Sequence, residues 1–551
     1  MNGNDIIKKY ETMNSRVRGN WENLWQECAD WCFPTNDNIN RIRVGGQEKP
    51  PQRMIDTCIE ANYTFASGFF SYMFPPNTVW ARYRHPDPLM MQNEKVAQYF
   101  EQVSRTAHQI IIGSNFAQEE FQSLLSLGCF GTNCLSVEED DSEIIRFQNY
   151  IVDSIRIAEN HRKEVDTIAR EYTLTSRQVI QRFGIDNVKK GKLDKVLADV
   201  QNGKEEKHKF IQYVCPRSDF VFDSKKAKDK PFASYHVSKD TKEIIKESGF
   251  DFNPFKVSRF ITGNEEIYGR SPMSMCLSTA RRANVCYRSM IVAAEQHANP
   301  QWLVPDDDSV SGMSNRAGAF IKWRATNPNG KPERLAPNGN PQIAFQMYEQ
   351  HENDIKRMFF NHLFRPLDDY RNMTATEVQE RMTTDLMQLT PFTSRYIEEH
   401  VTPLMQHVYY IAAKRAMLPQ PPDELLESPE FEVDYVGRLS LATKSFETIG
   451  AINTLRVFGE LSQMSPAMAQ SIDNIQPDKL FREIWYSNTS SMNSLKDVDQ
   501  VDMERQAEAQ AQMAMQAQMM QQQAVPAQAD AMQKLSGKVD PDSIIGQMNA
   551  E

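Results

Sequence analysis

Residues 266–300 read EIYGRSPMSMCLSTARRANVCYRSMIVAAEQHANP. Ser271 is placed to cap a helix and Pro272 to fill its first position, because a serine oxygen accepts a free N–H there and proline has none to lose. Apolar or small residues then recur at Met273, Leu277, Ala280, Asn284, Tyr287, Ile291 and Ala294, with Arg281, Arg282, Arg288 and Glu295 between them. Alternating steps of four and three predict a helix with one narrow buried stripe. Pro300 ends it, so the helix spans about 40 Å at 1.5 Å per residue.

Outward from this helix, Gln301 to Pro341 holds turn chemistry (Asn327-Pro-Asn-Gly330, Asn338-Gly-Asn340) around short strand candidates, Trp302–Val304 and Ala319–Arg324. A return helix carries Ala344, Tyr348, Ile355, Phe359 and Leu363 on one side. The loop Arg365-Pro-Leu-Asp-Asp-Tyr-Arg-Asn372 follows, and Thr374-Ala-Thr-Glu377 reads as a capping box opening the next helix. Two long helices joined by a small insert form a hairpin too narrow in its apolar stripes to be a core alone. Either the hairpin packs on its own domain, or copies pack side by side.

Before the hairpin, residues 5–32 read as one amphipathic helix, with Ile6, Tyr10, Met13, Val17, Trp21, Leu24, Cys28 and Trp31 on one face. Met54 to Met73 reads as a second, crowded with Phe65, Phe69, Phe70 and Tyr72. Helices at Glu94–Ile112 and Ala117–Leu127 precede a strand-rich stretch from Asn133 to Phe260, interrupted by helices at Ser176–Phe183 and Leu193–Val200. Beyond the hairpin, the helix from Thr374 is broken near Pro391 and resumes from Arg395 to Met417, where Pro403 predicts a bend. From residue 502 Gln, Met and Ala dominate, a composition that favours helix but builds no core.

The chain has 551 residues and a net charge of −11, which argues against a simple high-affinity nucleic-acid binder. Neither a signal peptide nor an apolar run of transmembrane length is visible. The 8 cysteines are scattered, Cys28 and Cys32 one helical turn apart, and read as buried free thiols rather than disulfides or zinc ligands. No Walker A, G-x-G-x-x-G or G-x-S-x-G pattern occurs, so no ATPase is indicated by a visible motif. Asp306-Asp-Asp308 reads as a solvated tip with divalent-metal ligation as the sharper alternative, and Glu138-Glu-Asp-Asp141 as an acidic turn. Cys129 with a remote His161 is the one thiol pairing to weigh, without local support.

Glu266-Ile-Tyr-Gly-Arg-Ser-Pro272 leading into a long helix, Asn372-Met-Thr-Ala-Thr-Glu-Val-Gln-Glu-Arg381 after the loop, Arg18-Gly-Asn-Trp-Glu-Asn-Leu-Trp25 and the Gln/Met/Ala-rich terminus together resemble the head-to-tail connector, or portal, family of short-tailed bacteriophages. The resemblance runs in order along nearly the whole chain. It implies a mostly helical α+β portal-type fold that assembles into a ring, usually of twelve copies, around a channel for double-stranded DNA. Mapped onto this sequence, it gives a wing at 1–266, stem helices at 267–299 and 342–363 flanking a clip at 300–341, and a tunnel loop at 364–373. Wing helices at 374–440, a crown at 441–500 and a tail at 501–551 complete it.

It further implies no enzymatic activity and no cofactor, metal or catalytic residue. Tunnel-loop residues Asp368, Asp369, Tyr370, Arg371 and Asn372 would face DNA. Stem and clip cations Arg281, Arg282, Arg288, Lys322, Arg324, Lys331 and Arg334 would meet phosphates or pair between subunits. The implied partners are the terminase large subunit, then tail adaptor and nozzle proteins, with major capsid, scaffold and internal core proteins around the wing and no membrane. The implied place is the portal vertex of the virion, assembled in the host cytoplasm. A metal-dependent nuclease using the acidic loops, and a tail or capsid component without a channel, are the alternatives.

Overall fold

The computed structural model describes residues 2–13, 15–36, 38–41, 53–76, 78–140, 142–220, 226–298, 302–303, 310–311, 322–323, 333–334, 341–364, 388–426, 430–437, 501 and 503–515. Two units divide the chain, 1–443 and 444–551. In the second, residues 503–515 are helical and exposed, as the Ala/Gln/Met composition predicts. No helix among the described residues is long and apolar enough to cross a membrane.

The first unit mixes helix and strand. Its N-terminal residues form two helices rather than one, α1 (Gly3–Thr12) and α2 (Ser15–Cys32). They serve different cores, which is the physical reason for the break. Ile6, Ile7 and Tyr10 of α1 pack on Ile211, Tyr213 and Val237, whereas Trp21, Trp25 and Cys28 of α2 join the main core. A chain of continuous helical phase could not point one face at both.

The main core gathers α2, α3 (Thr57–Met73) and α5 (Phe116–Phe130), with α4 (Glu94–Ile112) against strand β1 (Ala81–Arg84). In α3 the aromatics predicted to be crowded stack inward: Phe65 and Phe69 are fully buried with ring centroids 5.8 Å apart. Gly131 ends α5 in the left-handed region at φ 77°, where glycine carries no Cβ penalty, and the chain turns directly into β2 (Thr132–Asp140).

Two antiparallel sheets follow. Strand β2 is central, between β3 (Ile144–Tyr150) and β9 (Phe255–Arg259). The second sheet runs in sequence order through β4 (Ile155–Glu159), β5 (Val165–Thr175), β6 (Lys207–Pro216), β7 (Phe232–Ser238) and β8 (Ile244–Phe250). Helix α1 covers one face, and α6 (Ser176–Lys190) and α7 (Asp194–Gln201) enclose a separate cluster around Phe183, Val196 and Phe210. Three sequence expectations change here. Strand β8 was not expected, because Lys246-Glu-Ser-Gly249 breaks apolar alternation. The alternating aromatics at 220 and 222 predict a short strand, and Phe220 lies outside any strand. Glu138 to Asp140 end β2 rather than forming a turn, with Glu139 holding Lys414 Nζ at 2.7 Å.

The long helix α8 (Pro272–Ala298) starts and stops as the sequence predicts. Its return partner does not run through to Leu363: α9 (Pro341–Met358) ends early and α10 (Asn361–Phe364) is a separate turn. Phe360 between them takes φ 57°, a strained left-handed conformation for a bulky residue. The break directs Phe360 onto Phe260 (6.3 Å) and Phe364 onto Phe65 (6.5 Å). Phe364 also lies so close to Gly68 that any Cβ there would collide with its ring. Between α8 and α9 the structure describes only four two-residue strands, β10 (Trp302–Leu303) paired with β13 (Glu333–Arg334), and β11 (Val310–Ser311) with β12 (Lys322–Trp323).

The helix expected from Arg395 begins at Thr390, with Pro391 inside its first turn where proline is tolerated. It widens into a π turn at Ile397–Val401 and continues as Thr402–Lys414. Pro403 follows directly on the wide turn. Proline supplies no N–H for an i→i−4 bond, and the extra residue of a π turn absorbs that missing donor without a sharp break.

Candidate functional site

The two sequence stretches that carry the family resemblance at the N-terminal side and at the start of α8 are folded against each other. Arg18 of α2 is 5% exposed, and its guanidinium has five N–H donors to satisfy. Nε meets Glu22 at 2.7 Å, Nη1 donates to the Ile155 carbonyl and the Tyr268 hydroxyl at 2.9 Å each, and Nη2 donates to the Val152 and Asp153 carbonyls at 3.0 and 2.8 Å. All five are used. The charge also lies over the Trp25 ring at 5.0 Å. Tyr268 stands edge-on to Trp25 at 5.0 Å and tilted on Trp21 at 5.8 Å, and Arg270 covers the outer face of Trp21 at 5.3 Å.

Backbone geometry completes this root. Gly269 donates its N–H to Thr132 Oγ1 at 2.9 Å, and Phe260 donates to the Gly131 carbonyl at 2.9 Å. Gly131 and Gly269 cross so closely that a Cβ on either would strike the other's backbone. Two glycines are needed because each side must present bare backbone. Immediately after the crossing, Ser271 and Ser274 cap α8 reciprocally: the Ser274 N–H donates to Ser271 Oγ at 2.9 Å, and the Ser271 N–H to Ser274 Oγ at 3.0 Å. This is a capping box with serine in the place usual for Glu or Gln.

Along α8 burial changes abruptly. Met273, Cys276, Leu277, Ala280 and Ala283 are buried, and no residue after Ala283 is. Asn284 accepts from the Met54 N–H at 2.7 Å, the outermost polar tie of α8 to the body among the described residues. Farther out, α8 and α9 hold each other through Tyr287 and Tyr348, whose rings are 5.4 Å apart, while Met290 and Ala294 line a small apolar cleft with Gln342 and Phe345. The seam therefore passes Ala283, Tyr287 and Met290. Ile291, expected on the buried stripe, is 37% exposed because the seam steps by three at Tyr287–Met290 and leaves it at the edge.

The candidate cations separate into different situations. Arg281 pairs with Glu27 of α2, Nε to Oε1 at 2.7 Å, a tie between two helices of the body. Arg282 Nη2 donates to Thr279 Oγ1 at 3.1 Å and is exposed, as is Arg288. Lys322 and Arg334 lie in strands whose side chains are not described. Arg324 and Lys331, the loop residues Asp368, Asp369, Tyr370, Arg371 and Asn372, and Asp306–Asp308 lie outside the described residues. Cys129 is fully buried beside Cys32, and burial pushes its thiol up to about 11, so it is protonated at neutral pH; His161 is exposed on a strand turn. That combination does not make a nucleophile.

Sequence reasoning missed two buried polar clusters at the π turn. Glu120, Tyr396 and His400 are all fully buried; the Tyr396 hydroxyl donates to Glu120, and His400 Nε2 lies 3.1 Å from the same carboxylate. Arg259 of β9 is held by Glu399 at 2.7 Å and by Glu159 of β4, at the floor of a cleft of about 480 Å³. These residues are dispersed over the sequence, and the only local signal was the proline at 403.

Against known proteins, residues 4–495 match the family model described as bacteriophage head to tail connecting protein. The portal protein of Salmonella phage epsilon15 is 27% identical over 504 residues, covering 90% of this chain and 89% of that protein. The probable portal protein of Bordetella phage BPP-1 is 25% identical over 470 residues, covering 83% and 82%. With its rooted helical hairpin and a match running through nearly its whole length, the chain belongs to the bacteriophage head to tail connecting protein family.

Proposed function

We propose that this chain is a portal subunit, a non-enzymatic building block whose copies close into a ring, twelve by the family's habit, around a channel for double-stranded DNA. The observation that carries the reading, beside family membership, is the distal hairpin. Val285, Val292, Ile343 and Met347 are 62%, 42%, 56% and 46% exposed in the single chain, a concentration of apolar side chains that calls for a cover. Neighbouring copies supply one.

In this reading the ring sits at one vertex of the capsid within the virion. The clip at 300–341 receives the terminase large subunit during packaging and the tail adaptor and nozzle proteins afterwards. The wing meets the major capsid, scaffold and internal core proteins. The loop bearing Arg371 and Asn372 and the exposed Arg282 touch phosphates weakly, with Asp368 and Asp369 limiting the grip, since each neutralised phosphate adds a salt-dependent increment to affinity. The test is native mass spectrometry with negative-stain imaging of the purified chain. A closed ring with a central hole is expected, and a protein that stays monomeric at micromolar concentration overturns the reading.

A further inference from the structure

We propose that in the ring inferred above one face of α8, Arg281–Val285–Arg288–Val292, packs against one face of α9, Ile343–Met347–Gln350–Asp354, on the next copy. The proposal rests on the portal reading and adds the face and register of the contact. At 3.6 residues per turn, each of these sets falls within an arc of roughly 60° on its own helix. Both sets have the spacing four, three, four. Both lie more than about 90° from the α8–α9 seam, forward in sequence angle on α8 and backward on α9. Antiparallel helices wind in opposite senses when viewed from one end, so the two faces end on opposite flanks of the hairpin. A head-to-tail ring requires such an arrangement: each copy offers a different face to each neighbour.

Register follows from the structure. Tyr287 lies against Tyr348, so moving outward on α8 is matched by moving backward on α9. Arg288 is then level with Met347, Val292 with Ile343, Val285 with Gln350 and Arg281 with Asp354. In a closed ring every copy sits at the same height, and with the hairpin along the ring axis these levels are kept between neighbours. Two exposed apolar residues therefore meet each other at the outer end, Val292 on Ile343. Charge is complementary as well. The α8 face carries Arg281 and Arg288, and the α9 face carries Asp354 as its charged residue. Arg281 already holds Glu27 through Nε, but a guanidinium has donors enough for a second carboxylate.

The test uses the ring itself. Cys286 is half-buried and the other seven cysteines are buried, so Cys286→Ser clears the accessible thiol from the full-length chain. In that background Val292→Cys with Ile343→Cys is oxidised by copper(II)–phenanthroline, two thiols giving up two electrons and two protons to form one disulfide. A ladder of covalently linked copies on non-reducing gels is expected, and each single variant, and the pair Ser289→Cys with Ile343→Cys, gives none. A ring seen by imaging without a ladder overturns the face assignment while leaving the portal reading standing. No ring from the unsubstituted chain overturns both. Independently, Val285→Asp abolishes the ring while the chain's own melting temperature stays within a few degrees of the unsubstituted chain; an intact ring overturns the proposal.

Discussion

The two halves of α8 are one helix with opposite relations to the rest of the chain. From Pro272 to Ala283 its inner face is buried, its first turn is capped by two serines and its approach is locked by the crossing of Gly131 and Gly269. From Asn284 to Ala298 no residue is buried and Val285 and Val292 stand exposed. The inner half uses its residues to hold the helix on its own body. The outer half shows side chains that its own chain does not cover. Burial in a single copy thus separates residues that determine the fold from residues left for assembly.

The comparison breaks most violently at the crossing. Gly269→Val places a side chain against the Gly131 carbonyl, and backbone cannot step aside. The expected loss exceeds about 4 kcal/mol of chain stability, read by urea unfolding, with little soluble protein. A soluble variant of ordinary stability would mean that the root is not the structural half.

Next comes Arg18→Met. It removes the partner of three backbone carbonyls, of Glu22 and of the Tyr268 hydroxyl in one step. We expect a loss of about 3 kcal/mol, since buried polar groups left unpaired carry their full desolvation cost. Arg18→Lys recovers only part, having three donors for five acceptors. Substitutions on the distal half leave the same unfolding curve almost unmoved, and that contrast sharpens the division.

The smallest effect has the opposite sign. Lys256 of β9 is 3% exposed, its Nζ 2.6 Å from the Asn253 carbonyl, and burial brings its amine down to about 7. Below that pH the amine is charged in both folded and unfolded chains and the burial penalty is full. As pH rises from about 7 towards the ordinary lysine value, the folded chain has released a proton that the unfolded chain still binds, so stability climbs. Lys256→Met flattens that climb and raises stability at pH 7 by about 2 kcal/mol, part of the relief being lost with the Asn253 hydrogen bond. An unchanged slope of stability between pH 7 and 10 would refute it.

What could be read without the structure follows the range of the forces involved. The start of α8 was legible because capping is local: Ser271 and Pro272 announce it, whereas the crossing of Gly131 and Gly269 joins residues far apart in the sequence and was not. Most strands from Leu135 to Phe260 were legible from alternation, and β8 was not, because its Lys246, Glu247, Ser248 and Gly249 carry no pattern. Ile291 was misplaced because the seam on distal α8 is set by α9, whose phase cannot be known from α8. The π turn was invisible because it is held by Glu120 and Arg259, which lie more than a hundred residues away. Of the candidate site, the sequence lists basic residues by type alone. Their differences, Arg281 tied to Glu27 and Arg288 exposed, are matters of neighbours and not of residue type.

The root can also be regarded as the fulcrum of a lever. Helix α8 carries its far end about 40 Å from the glycine crossing, at 1.5 Å per residue. A tilt of about 2° at the crossing displaces the tip by roughly 1.4 Å, about one residue's rise along a helix. A soft hinge there would smear the tip over several such steps. Interlocked backbones, a fully satisfied guanidinium and two indoles packed on Tyr268 make a stiff pivot instead. Small adjustments made in the body around Arg18 and Tyr268 are therefore delivered, magnified and in a defined direction, at the end of the arm.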